Sequence, residues 1–352
     1  MFDGGDFLRR LALDMARYGG LAPLARPLVG GVGAILMLHR VTASASSPLG
    51  INRHLAITPA FLDALIDDMK DSGYSFVSLD QAVDRLRAPS RSERFATITA
   101  DDAYRDNLIE ALPVLEQHGT PFTIYVAPGL IDGTADLWWD IVEEIVAASR
   151  GIDIPTPGGA IALETSTPAQ KVAAVRRLEQ HLTQEVAEED QRAVLRSLAR
   201  AARIDIDRPR RKTLMDWNEL RTIAAHPLAS IGAHTVHHYN LKRLPPERAL
   251  AEMCDSVALL KDELGIAPRH FAYPYGYGSA VGPREVEIAR EAGFVTAVTT
   301  RHGVLRPEHA DHLLALPRIS VNGRFQNVAY LRTMLSGFTT PLANRGKVVV
   351  TV

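Results

Sequence analysis

Two adjacent carboxylates, Asp101 and Asp102, close the segment Thr97-Ile98-Thr99-Ala100-Asp101-Asp102-Ala103-Tyr104, where an apolar, β-leaning run ends. Neighbouring residues there point differently, so one carboxylate can hold a cation while the other faces a reacting water. A cation would also relieve the repulsion between the two charges. The bland alternative makes the pair a turn and the N-cap of the next helix. A second run, Ile231-Gly232-Ala233, leads into His234-Thr235-Val236-His237-His238. Imidazoles at i and i+4 converge on one metal if the chain turns helically after the strand, and His237, at i+3, competes. One carboxylate and two histidines leave positions open on a divalent ion such as zinc, which is the pattern of a catalytic site. A third run ends in Arg269-His270-Phe271-Ala272-Tyr273-Pro274-Tyr275-Gly276. Its aromatic rings could wall a sugar-sized groove, and its backbone N–H groups could face an oxyanion.

Something must bring these three run ends together. Strands are expected at Ala34–Leu38, Phe76–Leu79, Phe95–Thr99, Pro121–Val126, Ala229–Ala233, His270–Pro274, Phe294–Thr299 and Leu313–Ile319, with helical patterns between them. Such alternation argues for parallel βα units, wound as an open sheet or closed as a barrel. In either case ligand groups gather at the C-terminal strand ends. Thr58-Pro59 starts a helix that Gly73 stops, and Gly119 closes one running from Arg105, in which Pro113 implies a kink. A helix from Pro246 to Leu264 ends at Gly265, and Gly293 ends another. Residues 145–212 break the pattern, with a weak strand at Ala160–Leu163 and helices expected at Pro168–Gln184 and Glu185–Ala202. They read as a helical insertion whose entry linker is Pro155, Pro157, Gly158 and Gly159. The chain then divides into an N-terminal helical segment (1–33), a catalytic domain (34–337) and a tail (338–352) with a strand at Val348–Val352.

With a formal net charge of −2 over 352 residues, neither a nucleic-acid-binding face nor an acidic tail is indicated. A single cysteine, Cys254, excludes an internal disulfide framework and a cysteine-cluster metal site, and is expected as a buried structural thiol. Arg9, Arg10, Asp14 and Arg17 interrupt the N-terminal apolar stretch, so it does not read as a secretory signal. Phe7–Tyr18 is expected as a short amphipathic helix docked on the domain. No run reaches the roughly 18 apolar residues of a membrane span, and a cytoplasmic location is expected.

In order and content the three segments resemble the polysaccharide deacetylases with a NodB-homology domain, the family 4 carbohydrate esterases. That family's Thr-Phe-Asp-Asp-Gly motif is matched by Thr99 to Ala103, and its His-Ser/Thr-x-x-His motif by His234, Thr235 and His238. Its Arg-x-Pro-Tyr-Gly-like segment is matched loosely by Ala272 to Gly276. The resemblance covers about residues 34–320 and implies an irregular (β/α)7 barrel carrying a helical insertion. It implies Asp101 as general base, Asp102, His234 and His238 as ligands of a divalent metal ion, zinc first, and the Tyr275 N–H as an oxyanion donor. The substrate would be an N-acetylated carbohydrate, and the products acetate and a free amino sugar.

Departures from that pattern raise specific expectations. Ala100 and Ala103 replace the family's Phe and Gly, so a positive φ at Ala103 would be strained and could displace the Asp pair. Ala272 replaces the Arg that serves the base; Arg318, in Leu316-Pro317-Arg318-Ile319, is the candidate substitute, with an ordinary salt bridge as its alternative role. No Leu-x-x-His motif supplies a general acid. His39, after Leu36-Met37-Leu38, is the candidate acid or substrate contact, ahead of His302, His309 and His312. Tyr273, Tyr275, Trp138 and Trp139 are candidate sugar contacts, Asp140 could bind a hydroxyl, and Trp217 is expected to be structural. Two other functions stay open: a related amidohydrolase acting on a non-sugar C–N bond, and a degenerate carbohydrate-binding protein.

Overall fold

The computed structural model describes residues 28–44, 47–88, 93–156 and 158–352; the helix expected at Phe7–Tyr18 and Pro157 of the expected linker lie outside them. Twelve strands form among the described residues: β1 (Gly33–Leu38), β2 (Arg40–Val41), β3 (Ala56–Ile57), β4 (Tyr74–Phe76), β5 (Arg94–Asp101), β6 (Phe122–Val126), β7 (Gly151–Thr156), β8 (Gly159–Glu164), β9 (Ala229–Ala233), β10 (His270–Ala272), β11 (Thr296–His302) and β12 (Leu316–Ser320). Seven make a closed parallel barrel in the order β1-β12-β11-β10-β9-β6-β5, shut because β1 pairs with β5 as well as with β12. Of the two arrangements open from the sequence, the chain adopts the (β/α)7 barrel, with β4 added outside β5.

Alternation along the strands decides which side chains reach the barrel mouth. On β5, Ala96, Ile98 and Ala100 pack outward under the helices, whereas Phe95 joins Ile35, Tyr125, Ala272 and Leu316 in an interior cluster. The same parity carries Asp101 on β5 and Arg318 on β12 inward, and sends Tyr273, one residue past Ala272, outward. Gly232 is required on β9, since a Cβ there would lie 2.4 Å from the Tyr125 ring that fills the barrel.

Helix ends follow the sequence signals. The Thr58 hydroxyl accepts the Phe61 N–H at 3.1 Å to start Pro59–Asp71, and Gly73 follows at φ 82°. The break expected at Pro113 is a π-turn, Asn107–Ala111, leading into the helix Leu112–His118. Pro246–Leu264 ends as expected at Gly265, φ 70°.

Several boundaries differ from expectation. The strand placed at Phe76–Leu79 is β4, ending at Phe76, because a Ser78–Gln81 capping box commits Leu79–Arg87 to helix. Leu313–Ala315 form a short 3-10 turn ahead of β12. The insertion contains an antiparallel hairpin, β7–β8, so Pro155 (opposite Ala160) and Gly159 (opposite Thr156) are strand residues rather than a linker. Its helices run Pro168–Gln180 and Gln191–Ala201, joined through a π-turn at His181–Glu185. Ile152, Ile154, Leu178, Leu195 and Leu198 form a hydrophobic cluster of their own with Ile141 and Ile145 of the helix Trp138–Ala148. Val348–Val352 forms no strand; Val350 is buried instead, its carbonyl accepting a bond from His309 Nε2 at 3.1 Å. Cys254 is exposed on its helix, not buried. Among the described residues no helix is long and apolar enough to cross a membrane.

Candidate active site

Inward parity at the strand ends brings Asp101 and Arg318 face to face. The guanidinium donates from Nη1 to Oδ1 and from Nη2 to Oδ2, both at 2.7 Å, and its Nε donates to Thr299 O at 2.9 Å. This two-pronged geometry fixes the carboxylate plane. Burial alone would raise the Asp101 pKa, but Arg318 overrides it and holds the group well below the usual carboxylate range. Ala272 leaves the inward position of β10 small, and the cation reaches Asp101 from β12, two strands further round.

Asp102 turns the other way and meets the histidine segment. Its Oδ1 lies 3.6 Å from His234 Nε2 and 3.5 Å from His238 Nε2, and the three donor atoms all fall within 4.8 Å of one another. His234 donates its Nδ1–H to Ala272 O at 2.7 Å, which leaves the Nε2 lone pair directed at Asp102. Asp102 Oδ1 is buried without a hydrogen-bond partner in the protein. Burial and then Asp101 push the Asp102 pKa well up, and burial pushes both imidazoles down. A carboxylate oxygen without a partner and two imidazole nitrogens, gathered at one point, fit a divalent cation. His237 points away: its Nδ1 pairs with Glu252 Oε1 at 2.7 Å, and its ring stacks on Tyr239.

Backbone strain is concentrated here. Of seven non-glycine residues with positive φ among the described residues, five belong to the three motif segments: Asp102 (72°), Ala103 (54°), Thr235 (60°), His238 (58°) and Tyr275 (64°). Ala103 does take the left-handed conformation that a glycine would take more easily, yet the Asp pair is not displaced from its partners.

His39 follows β1 and lies close enough to Asp101, Arg318 and His234 to feel their charges; burial pushes its pKa down to about 4, against the pull of Asp101. Around His238 stand Trp139 and Tyr275, each with ring centroid 5.2 Å away. Trp138 Nε1 donates to the Tyr275 hydroxyl at 3.1 Å and Trp139 Nε1 to that of Tyr104 at 3.0 Å, so both indoles are pinned. Tyr273, expected among the sugar contacts, instead faces the core against Phe271, 1% exposed, with its hydroxyl donating to Leu314 O at 2.9 Å, and is not available to a substrate. His302 and His309 are held elsewhere, by Thr339 and by Val350. Trp217 Nε1 bonds Asp132 at 2.7 Å, a structural contact.

Two supporting groups had no local signal in the sequence. Glu252, fully buried in mid-helix, accepts the N–H groups of Val236 (3.0 Å) and His237 (2.9 Å) and so shapes the loop between the two histidines. Asn52 donates to Asp140 Oδ1 at 3.1 Å and to Trp139 O at 3.0 Å, from a 3-10 turn more than eighty residues away. Burial raises the Asp140 carboxyl to about 6.

A closed parallel barrel with an Asp pair and two histidines at its mouth defines the class, and comparison with known proteins agrees. The sequence matches the polysaccharide deacetylase family over residues 88–297, more than half of the chain. The chain belongs to that family, whose members are hydrolases of carbon–nitrogen bonds other than peptide bonds. YxkH of Bacillus subtilis (strain 168), which carries the same family's name, is 21% identical over 287 residues, 81% of this chain and 71% of its own. Among solved structures, the Streptococcus pyogenes deacetylase PplD in complex with acetate superposes with a TM-score of 0.55 at 20% identity, covering 86% of this chain and 97% of that one. IcaB from Ammonifex degensii gives 0.54 at 20% identity, over 87% and 98%.

Proposed function

We propose that the protein is a metal-dependent N-deacetylase that hydrolyses the acetamide of N-acetylated sugars in an oligosaccharide or polysaccharide and releases acetate. The observation that carries this reading is the buried triad of Asp102, His234 and His238, its carboxylate oxygen unpartnered, beside a second carboxylate locked by Arg318. A divalent cation held by the triad, zinc being the expected one, would polarise the acyl carbonyl and acidify a water.

The chain's own groups then divide the work. Asp101, kept ionised and oriented by Arg318, takes the proton of the attacking water. His39, neutral at rest beside the same carboxylate, receives that proton and delivers it to the departing nitrogen. The Tyr275 N–H faces the developing oxyanion, and the pinned rings of Trp139 and Tyr275 bear on the sugar face. The name of the Streptococcus pyogenes protein, a deacetylase in complex with acetate, supports acetate as product.

The test is acetate release from N-acetylglucosamine oligomers by protein of known metal content. Release that stops on chelation and returns with zinc is expected. Full metal occupancy with no release across acetylated sugars, but turnover of a ureide or cyclic amide, would transfer the activity to a non-sugar bond.

A further inference from the structure

One ring lies beneath both halves of the site and belongs to neither. Tyr125, fully buried near the end of β6, stands in register with Asp101 of β5 on one side and with Gly232 of β9 on the other. Its ring centre is 6.0 Å from the Arg318 guanidinium carbon and 6.5 Å from the centre of the His234 ring. The barrel gives up volume to admit it: a Cβ on Gly232 would meet the ring at 2.4 Å, and Ala272 is a small member of the same interior cluster. Side chains packed this closely transmit a change of shape to their neighbours.

The hydroxyl is not what this residue supplies. Tyr125 Oη is buried with no hydrogen-bond partner among the described residues, and burial pushes its pKa up. A buried hydroxyl without a partner opposes folding, which leaves the ring as the contribution. What Arg318 lacks is support across its plane. Its guanidinium makes four hydrogen bonds, to Thr299 O, Thr99 Oγ1 and the two oxygens of Asp101. Such N–H bonds lie in the guanidinium plane and hold it by its edges. An aromatic face within about 6 Å of the cation adds the missing support, and does so out of water, where the attraction is strongest.

We propose that Tyr125 is a positioning residue for the hydrolysis: its ring carries the Arg318 guanidinium, and through it keeps the Asp101 carboxylate aimed at the attacking water. Fully buried, Tyr125 touches no substrate and acts through Arg318. The His234 contact is longer and tilted by 41°, so the metal triad does not depend on it. Removing the ring therefore slows the chemical step without loosening the metal or the sugar.

This rests on the deacetylase reading, and the experiment separates the two. The values of kcat, KM and zinc affinity are measured for the wild-type chain, Tyr125→Leu, Tyr125→Phe, Arg318→Met and the double variant of Tyr125→Leu with Arg318→Met. Expected is a kcat lowered about 10–100-fold by Tyr125→Leu, the size of a base displaced by about an ångström, with KM and zinc affinity within about twofold of wild type. Tyr125→Phe keeps kcat within about threefold of wild type, and Tyr125→Leu has no further effect once Arg318 is gone. Leucine as active as tyrosine, phenylalanine as slow as leucine, or losses that multiply in the double variant would each overturn the proposal. If Tyr125→Leu does not fold, Tyr125→Met, whose unbranched chain fills irregular space, takes its place. Should the wild-type chain release no acetate from any acetylated sugar, the deacetylase reading fails, and a crystal structure of Tyr125→Leu decides the positioning alone. Arg318–Asp101 bonds opened or shifted in that variant support it, and an unaltered pair overturns it.

Discussion

Arg318 and Asp101 are both out of water and each compensates the other's charge: 1% and 3% exposed, they share two 2.7 Å bonds. Removing one partner of such a pair leaves an uncompensated buried charge, at a cost of about 3–5 kcal/mol. Arg318→Met is therefore expected to lower unfolding stability by that amount in urea at pH 7, and a loss under about 1 kcal/mol would show the pair to be dispensable. Asp101 is held low, so its contribution is present above the ordinary carboxylate range and is lost only as pH falls through its depressed folded-state value. Asp140 has the opposite sign. Raised by burial to about 6, it favours the folded state below its ordinary value near 4, and that contribution is lost as pH rises through 6. Asp140→Asn should thus stabilise the metal-free protein at pH 8, by up to about 3 kcal/mol, and do little at pH 4. Melting curves at the two pH values check this, and equal shifts at both would contradict it.

At the level of elements, the motif segments were legible because strands end where carboxylates or imidazoles begin. What could not be read was how the loops are held. Glu252 lies fifteen residues beyond His237 on an ordinary-looking helix, and only folding brings its carboxylate under the Val236 and His237 N–H groups. Glu252→Gln is expected to weaken zinc binding by about 10–100-fold with secondary structure retained, because that loop sets the angle between the two imidazoles. Competition against a metallochromic chelator with circular dichroism alongside measures both; unaltered affinity would limit Glu252 to packing. Tyr273 teaches the converse: its place next to Ala272 in a motif suggested a groove wall, but strand parity turns it into the core. Likewise the proline- and glycine-rich stretch around Pro155 looked like a linker because turn residues do not distinguish a linker from the tip of a hairpin.

Taken whole, the molecule is a barrel whose closure was undetermined from the strand pattern, since alternating βα units wind equally well into an open sheet. The β1–β5 pairing settles it, and it also sets the site, by bringing β12 and β5 to the same mouth so that Arg318 answers for the small Ala272. The insertion, least family-like in sequence, contributes its own core. On the proposed function, this mouth holds a cation in one set of residues and a base in another. Asp101→Asn separates the two, and the decisive measurement is zinc content and acetate release on the same preparation. Metal retained at wild-type stoichiometry with release reduced about 10²–10⁴-fold is the expected result; release near the wild-type rate with metal bound would contradict this division of roles.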